Sequence, residues 1–271
     1  MSPRLRRETA PAKRRFGQHF LAPAWADKVV AAIAPRPDDR FLEIGPGPGV
    51  LTSRLAARAA HVTAVEIDRD LAAELRQTAP RNVLILDGDI LEFDLSGVLG
   101  PGPLRVAGNL PYNISSPILF KLLAAARASA HLLDATVMLQ REVAERLTAV
   151  PGTKDYGVLT IFAAAQAVAT PLLTLPPGAF RPPPKVHSAV VRLAFKPPVI
   201  PAGTEAAFER LVRSIFMQRR KTLSNALRTF ADAHGRDASA ALRAAGIDPI
   251  RRPETLTQQE ILRLLALGFG L

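Results

Sequence analysis

Apolar and polar residues follow two rhythms along this chain. In the first two thirds, short runs rich in Val, Ile, Leu and Phe alternate with stretches of helical spacing. Phe41–Ile44, Val62–Ile67, Val83–Leu86, Leu104–Ala107 and Thr136–Leu139 have the length and residue types of strands. Segments 50–59, 69–79 and 117–127 between them read as helices. Trp25–Ala34 reads as a helix ahead of the first strand, with Pro23 acceptable near its start. This alternation predicts an α/β fold with a parallel sheet covered by helices on both faces. Leu172–Leu175 and Ser188–Phe195 are again strand-like. The second alternates Ala189, Val191, Leu193 and Phe195 against Val190, Arg192 and Ala194 after a Pro-rich stretch, which predicts a hairpin-like, antiparallel addition to the sheet. The longest apolar run, Leu159–Ala169, falls short of the ~20 residues of a membrane span and reads as a buried helix.

The rhythm changes after residue 196. Residues 197–203 form a linker by composition, with prolines at 197, 198 and 201 and Gly203 at the end. Beyond it Phe208, Leu211, Val212, Ile215 and Phe216 recur at helical spacing, and Thr257-Gln258-Gln259-Glu260 is a capping-box pattern before Ile261. The chain therefore divides into an arm (1–15), an α/β domain (16–196), the linker (197–203) and a small all-α domain (204–271). No internal repeat is visible.

Composition narrows the chemistry. Cysteine is absent from the 271 residues, which excludes disulfides, thiolate nucleophiles and Cys-ligated zinc. The five histidines, at 19, 61, 131, 187 and 234, are scattered and form no metal pattern. The N-terminus lacks the apolar core of a secretory signal, and a cytoplasmic location fits. The net charge of +11 is uneven: residues 1–15 carry +5, 16–195 only +1 and 196–271 +5. Two basic ends around a near-neutral middle suit a polyanion gripped at both ends.

Gly45-Pro46-Gly47-Pro48-Gly49 follows the first strand and opens a helix. Its G-x-G-x-G spacing departs from the G-x-G-x-x-G of a pyrophosphate turn, which disfavours a nicotinamide oxidoreductase. Glu66, at the end of the second strand and about 20 residues past the turn, is placed for ribose hydroxyls. Asp89, at the end of the third strand and followed by Ile90, offers a carboxylate to an adenine amine. The sharpest signal is Asn109-Leu110-Pro111-Tyr112 after the fourth strand. An exocyclic adenine amine is a poor nucleophile because its lone pair is delocalised into the ring. The Asn109 amide oxygen and the Leu110 carbonyl can each accept one of its N–H bonds, localising the lone pair for attack on a methyl sulfonium. Tyr112 supplies a stacking face for a flipped base. In the loop Phe180-Arg181-Pro182-Pro183-Pro184-Lys185, prolines stiffen the chain so that Phe180 serves as the opposite stacking face or, alternatively, sits in the core of a connector. Arg219, Arg220 and Lys221 in the basic helical domain, Lys185, and Arg14 and Arg15 with Lys13 in the arm are the candidate phosphate contacts.

With these residues in view, the sequence resembles the ribosomal RNA adenine dimethyltransferases of the KsgA type. The resemblance runs through Arg15-Phe16-Gly17-Gln18-His19-Phe20-Leu21, Glu43–Gly49, Glu66, Asn109–Ser116, Leu139–Val143, Tyr156-Gly157, Pro182–Ser188 and Gln218–Lys221. It implies a class I methyltransferase (Rossmann-like) sheet with an antiparallel last strand, plus a helical C-terminal domain that binds RNA. It implies S-adenosylmethionine as methyl donor, S-adenosylhomocysteine as product and no metal. The cofactor contacts it carries over are His19, Leu21, Gly45, Glu66, Asp89 and Asn109, with Gly47 and Ile90 beside them. The implied substrate is a pair of adjacent adenines near the 3′ end of small-subunit rRNA in a pre-30S particle, methylated by a monomer away from any membrane. At position 19 the family usually has Asn, so a side-chain contact there would differ while a backbone contact would not. The alternatives are a large-subunit rRNA methyltransferase of the macrolide-resistance type, a DNA adenine methyltransferase and a non-catalytic ribosome-assembly factor. The wording of Asn109–Ser115 and Gln218–Lys221 favours the small-subunit enzyme.

Overall fold

The computed structural model describes residues 18–100 and 102–269. The arm, with Lys13, Arg14 and Arg15, lies outside the described residues. The elements in chain order are β1 (Phe20–Leu21), α1 (Pro23–Ile33), β2 (Arg40–Ile44), α2 (Val50–Ala56), β3 (His61–Glu66), α3 (Arg69–Thr78), β4 (Val83–Asp87), α4 (Ser96–Leu99) and β5 (Leu104–Asn109). There follow α5 (Ser115–Ala128), β6 (Leu132–Gln140), α6 (Arg141–Thr148), α7 (Val158–Ala164), β7 (Ala167–Leu175), β8 (Phe180–Arg181) and β9 (Ser188–Phe195). The rest is helical: α8 (Glu205–Met217), α9 (Leu223–Asp232), α10 (Ala238–Ala244), α11 (Gln258–Arg263) and a π-helical turn, Leu264–Gly268.

Seven strands form one sheet in the order β4-β3-β2-β5-β6-β9-β7. The first five are mutually parallel, and β9 runs antiparallel to β6 from Gln140↔Ser188 to Asp134↔Ala194. This is the class I methyltransferase sheet with its antiparallel last strand. β2 and β5 are central and buried on both faces, hence their near-continuous apolar runs. A second, two-stranded ribbon joins chain segments 160 residues apart: Phe20 faces Arg181 and Leu21 faces Phe180 across β1 and β8.

Charged residues inside the sheet have specific partners. Arg105 on β5 bridges Asp39 at 2.7 Å and Asp134 at 3.0 Å. Its guanidinium also donates to the Ile33 carbonyl at 2.8 Å, and Arg192 donates to Ala32 and Ile33 at 2.7 and 2.9 Å. Two cations thus take up the last carbonyls of α1, where orphan acceptors and the negative end of the helix dipole coincide.

Packing divides the chain into two units. One runs to Ala144 and takes in Thr170–Phe195, and the other combines Glu145–Ala169 with the chain from Lys196 onward. Within the second, α8 buries Ala207, Phe208, Leu211, Val212 and Ile215, and Phe162 meets Phe208 edge-on at 5.6 Å. Thr257 and Glu260 form the expected capping box. No described helix is long and apolar enough to cross a membrane.

Two expectations need correction. Leu159–Ala169 is not one buried helix, because α7 ends at Ala164 and β7 begins at Ala167 and continues through Pro171. β7 is the last strand in the sheet order, and an edge strand tolerates the missing proline N–H. Asp89 does not end a strand, because β4 stops at Asp87 and Asp89 lies in the turn beyond. Arg219, Arg220 and Lys221 lie in the turn between α8 and α9.

Candidate active site

The carboxyl ends of β2, β3, β4 and β5 open onto one cavity of about 240 Å³. Its wall includes Gln18 to Leu21, Glu43 to Pro48, Val65 to Ile67, Gly88 to Leu91 and Asn109 to Ile114. Open α/β sheets bind ligands at this position because the turns there expose backbone N–H groups.

The glycine turn is set by backbone contacts. Gly47 adopts a φ of +56°, and a Cβ there would come within 3.2 Å of the Phe20 ring. Its N–H donates to Glu66 Oε2 at 2.9 Å, while the Asp68 N–H donates to Oε1 at 2.9 Å. Glu66 is therefore a buried carboxylate aimed along the turn, 3% exposed. Burial pushes its acid form up in pH, and the backbone donors of Asp68 and Gly47 pull the other way. Asp89 is held by the Leu91 N–H, which donates to its Oδ1 at 2.9 Å. Ile67 lines the cavity with its side chain 41% exposed, an apolar surface fit for a flat ring.

On the other side, β5 delivers Asn109. Gly108 just before it has no room for a side chain, since a Cβ would lie 2.6 Å from the Ile44 carbonyl. That close approach sets Asn109 against the glycine turn. The Asn109 amide donates from Nδ2 to the His19 carbonyl at 2.6 Å, which leaves Oδ1 as the acceptor. The Leu110 N–H donates to the Met138 carbonyl at 3.2 Å and fixes the peptide that follows. The Tyr112 hydroxyl shares a 2.5 Å hydrogen bond with Ser188 Oγ, and burial raises the phenol's pKa, so it stays neutral. The His19 ring stacks on Tyr112, with centroids 5.3 Å apart and planes 28° from parallel. Its Nδ1 lies 2.8 Å from the Pro182 carbonyl and so donates to it. The contact from position 19 to Asn109 is a backbone one, while the His19 side chain backs Tyr112 and reaches Pro182.

The cavity brings together His19, Leu21, Gly45, Gly47, Glu66, Asp89, Ile90, Asn109, Leu110, Pro111 and Tyr112. Phe180 is not among them. It is wholly buried in the cluster with Leu21, Leu175, Ala179 and Val190, because its pairing with Leu21 turns it into the core. The expected second stacking face is a core residue. Lys185 is exposed in the loop between β8 and β9. In the second packing unit Arg220 and Lys221 are exposed, but Arg219 is committed to Glu254 at 2.9 Å and the Thr153 carbonyl at 2.9 Å. Its charge is used to tie a turn, which removes it from the candidate phosphate contacts. Gln18, Phe20, Glu43, Ile67 and Met138 line the cavity without having been singled out as ligands. An exposed isoleucine directly after an acidic strand end was the readable signal for Ile67.

The site fits a cationic adenosyl cofactor. Glu43 is 1% exposed, its Oε2 has no hydrogen-bond partner, and it belongs to the cavity wall. Among the described residues of that wall there is no Lys or Arg, and its carboxyl groups are those of Glu43, Glu66 and Asp89.

Comparison with known proteins agrees with the geometry. The family model for "Ribosomal RNA adenine dimethylase" matches residues 10–266. "Ribosomal RNA small subunit methyltransferase A" of Acinetobacter baylyi is 46% identical over 258 residues, covering 93% of this chain and 91% of that protein. Among solved structures, a dimethyladenosine transferase from Plasmodium falciparum aligns with TM-score 0.73 and 26% identity, covering 91% of this chain and 96% of its own. The 23S rRNA methyltransferase ErmE aligns with TM-score 0.67 and 28% identity, covering 93% and 100%.

Proposed function

The chain belongs to the ribosomal RNA adenine dimethylase family, and we propose that it places two methyl groups on N6 of each of two adjacent adenines near the 3′ end of 16S rRNA, as a cytoplasmic monomer acting on a pre-30S particle. It is an rRNA adenine dimethyltransferase that uses S-adenosylmethionine, as its fold and family imply. The observation that carries the proposal is the Asn109 amide, whose Nδ2 is turned to the His19 carbonyl and whose acceptor is left at the cavity beside Leu110 and Tyr112.

When bound, the cofactor supplies an electrophilic methyl on a sulfonium. Glu66 holds the ribose hydroxyls, while Gly45, Gly47 and the backbone at His19 and Leu21 shape the turn around the rest. Asp89 and Ile90 take the adenine ring edge and face. Asn109 Oδ1 and the Leu110 carbonyl accept the two N–H bonds of the target amine and hold its lone pair out of conjugation. Pro111 stiffens that turn, and Tyr112, backed by His19, stacks on the flipped base. No strong base is required, because methyl transfer makes the amine nitrogen an acidic ammonium. The test is incubation of unmodified small subunits with labelled cofactor, followed by mapping. Dimethyladenosine at two adjacent 3′-proximal positions is expected. Label at other positions only, or binding without label, would overturn the assignment.

Glu66→Ala removes two hydrogen-bonding oxygens from the ribose position and releases the Gly47 N–H. Loss of charge-assisted bonds of this kind costs ~1.5–3 kcal/mol, so cofactor affinity should fall about tenfold to a hundredfold in calorimetry. Unchanged affinity would take Glu66 out of the site.

For RNA, we assign phosphate binding to Lys185, Arg220, Lys221 and the arm residues Arg14 and Arg15. Removing any one of these cations should flatten the log–log salt dependence of RNA binding by about 0.7–0.9. The double variant Arg220→Ala/Lys221→Ala should therefore lower the slope by roughly twice that with cofactor affinity intact. An unchanged slope would mean that these two side chains only face solvent.

A further inference from the structure

Glu43 sits on β2 one residue before its end, between Ala64 on β3 and Ala107 on β5. It carries no assigned role in the reaction, yet its carboxyl is 1% exposed, lines the cavity and has an oxygen without a partner. The buried Thr52 hydroxyl is the neutral side chain that favours the charged form of that carboxyl. An isolated ionised carboxylate in such a place is costly and takes up a proton instead. The other ionisable groups of the cavity wall are His19, Glu66, Asp89 and Tyr112. Glu66 from β3 faces the same cavity at 3% exposure, and Asp68 follows at 2%. Burial first, with the Glu66 charge adding to it and Thr52 only partly offsetting, pushes the Glu43 carboxyl up to about 8. That direction favours the protonated acid at neutral pH.

The methyl donor of this reaction carries a sulfonium charge that its thioether product lacks, and differs from it otherwise only by the transferred methyl group. We propose that Glu43 is the residue that reads this charge: its carboxyl gives up a proton to solvent when the sulfonium cofactor enters and takes one back when the neutral thioether is left. The proposal rests on the reading of the cavity as the cofactor site. The proton balance is simple. Binding converts the Glu43 acid to carboxylate with one proton released to buffer, and loss of the sulfonium charge reverses it. The site then favours donor over product, which eases product release in an enzyme that must reload the donor for each transfer.

The effect is measurable without turnover. Calorimetric titrations of the full chain with S-adenosylmethionine and S-adenosylhomocysteine, in phosphate and in Tris at neutral pH, count protons released. The donor should release close to one proton more than the product, and its affinity should rise about tenfold per pH unit toward pH 8 and level off above it. The comparison cancels the α-amino group, which both ligands share. Glu43→Gln keeps the shape of the protonated acid, so the variant should fold, lose the proton difference and lose the pH dependence. Equal proton release from the two ligands in the parent chain, or an unaltered difference in Glu43→Gln, would overturn the role of Glu43 and leave the cofactor site standing. Failure of the parent chain to bind either ligand would instead overturn the cofactor site itself. The proton count on the parent chain needs no variant.

Discussion

Asn109→Ala is expected to remain folded, to bind RNA as the parent does and to lose roughly 10²–10³ in methylation rate, the usual cost of deleting one preorganised electrostatic partner. The side chain has two jobs in the structure. Nδ2 fixes the His19 carbonyl at 2.6 Å, and Oδ1 is thereby pointed away as an acceptor. Alanine removes both, so the target amine keeps only the Leu110 carbonyl and its lone pair returns to the ring. Arg220 and Lys221 are untouched, which protects RNA affinity. Because Asn109 also borders the cofactor position, the rate is to be read in single turnover at saturating cofactor, with mass spectrometry of the digested RNA. The second methylation should suffer at least as much as the first, since a monomethylated amine offers one N–H and must direct it to one acceptor. Near-normal dimethyladenosine from Asn109→Ala would sink the amine-acceptor mechanism.

What was legible in the sequence followed from local rules. Strand length, a glycine turn and an acid about 20 residues on located Glu66, and the turn after β5 located Asn109 and Tyr112. β9 was readable to the residue because a run rich in Val, Leu and Phe is bounded by the Pro-rich loop before it and Lys196-Pro197 after it. The misses share a cause: each depends on a partner distant in sequence. β1 and β8 are two residues long, too short for any period, and exist only because the chain returns 160 residues later. The burial of Glu43 between Ala64 and Ala107 is likewise not revealed by a strand pattern. Arg219 reads as one of three adjacent cations until Glu254, 35 residues on, claims it. The grouping of Glu145–Ala169 with the C-terminal helices likewise contradicts chain order and is set by packing. Asp89 was displaced by two residues because strand ends are governed by the ladder, which stops at the Glu66↔Asp87 pair.

Phe180→Ala is expected to lose ~3–5 kcal/mol of stability, the usual cost of emptying a buried aromatic site, and to lower Tm by roughly 6–20 °C for a chain of this size. A surface stacking residue would behave otherwise, leaving stability nearly intact and releasing more monomethylated product, with ~1–3 kcal/mol lost from base binding. The structure separates the two cases. Phe180 is 0% exposed and packs with Leu21, Leu175, Ala179 and Val190, and its backbone pairs with Leu21 in the ribbon that starts just after His19. Its influence on the reaction therefore runs through the ribbon: a loosened β1 lets go of the His19 carbonyl, and with it the orientation of the Asn109 amide. Phe180→Leu restores most of the buried volume without an aromatic face, and should recover most of the stability. Urea denaturation of both variants, with single-turnover product ratios taken cold enough to keep Phe180→Ala folded, decides the matter. Under the core assignment, Phe180→Leu gives a parental mono-to-dimethyl ratio and Phe180→Ala a lower midpoint. A parental midpoint in Phe180→Ala with a raised monomethyl fraction in both variants would return Phe180 to the stacked base and leave Tyr112 with a partner on each side of the ring it holds.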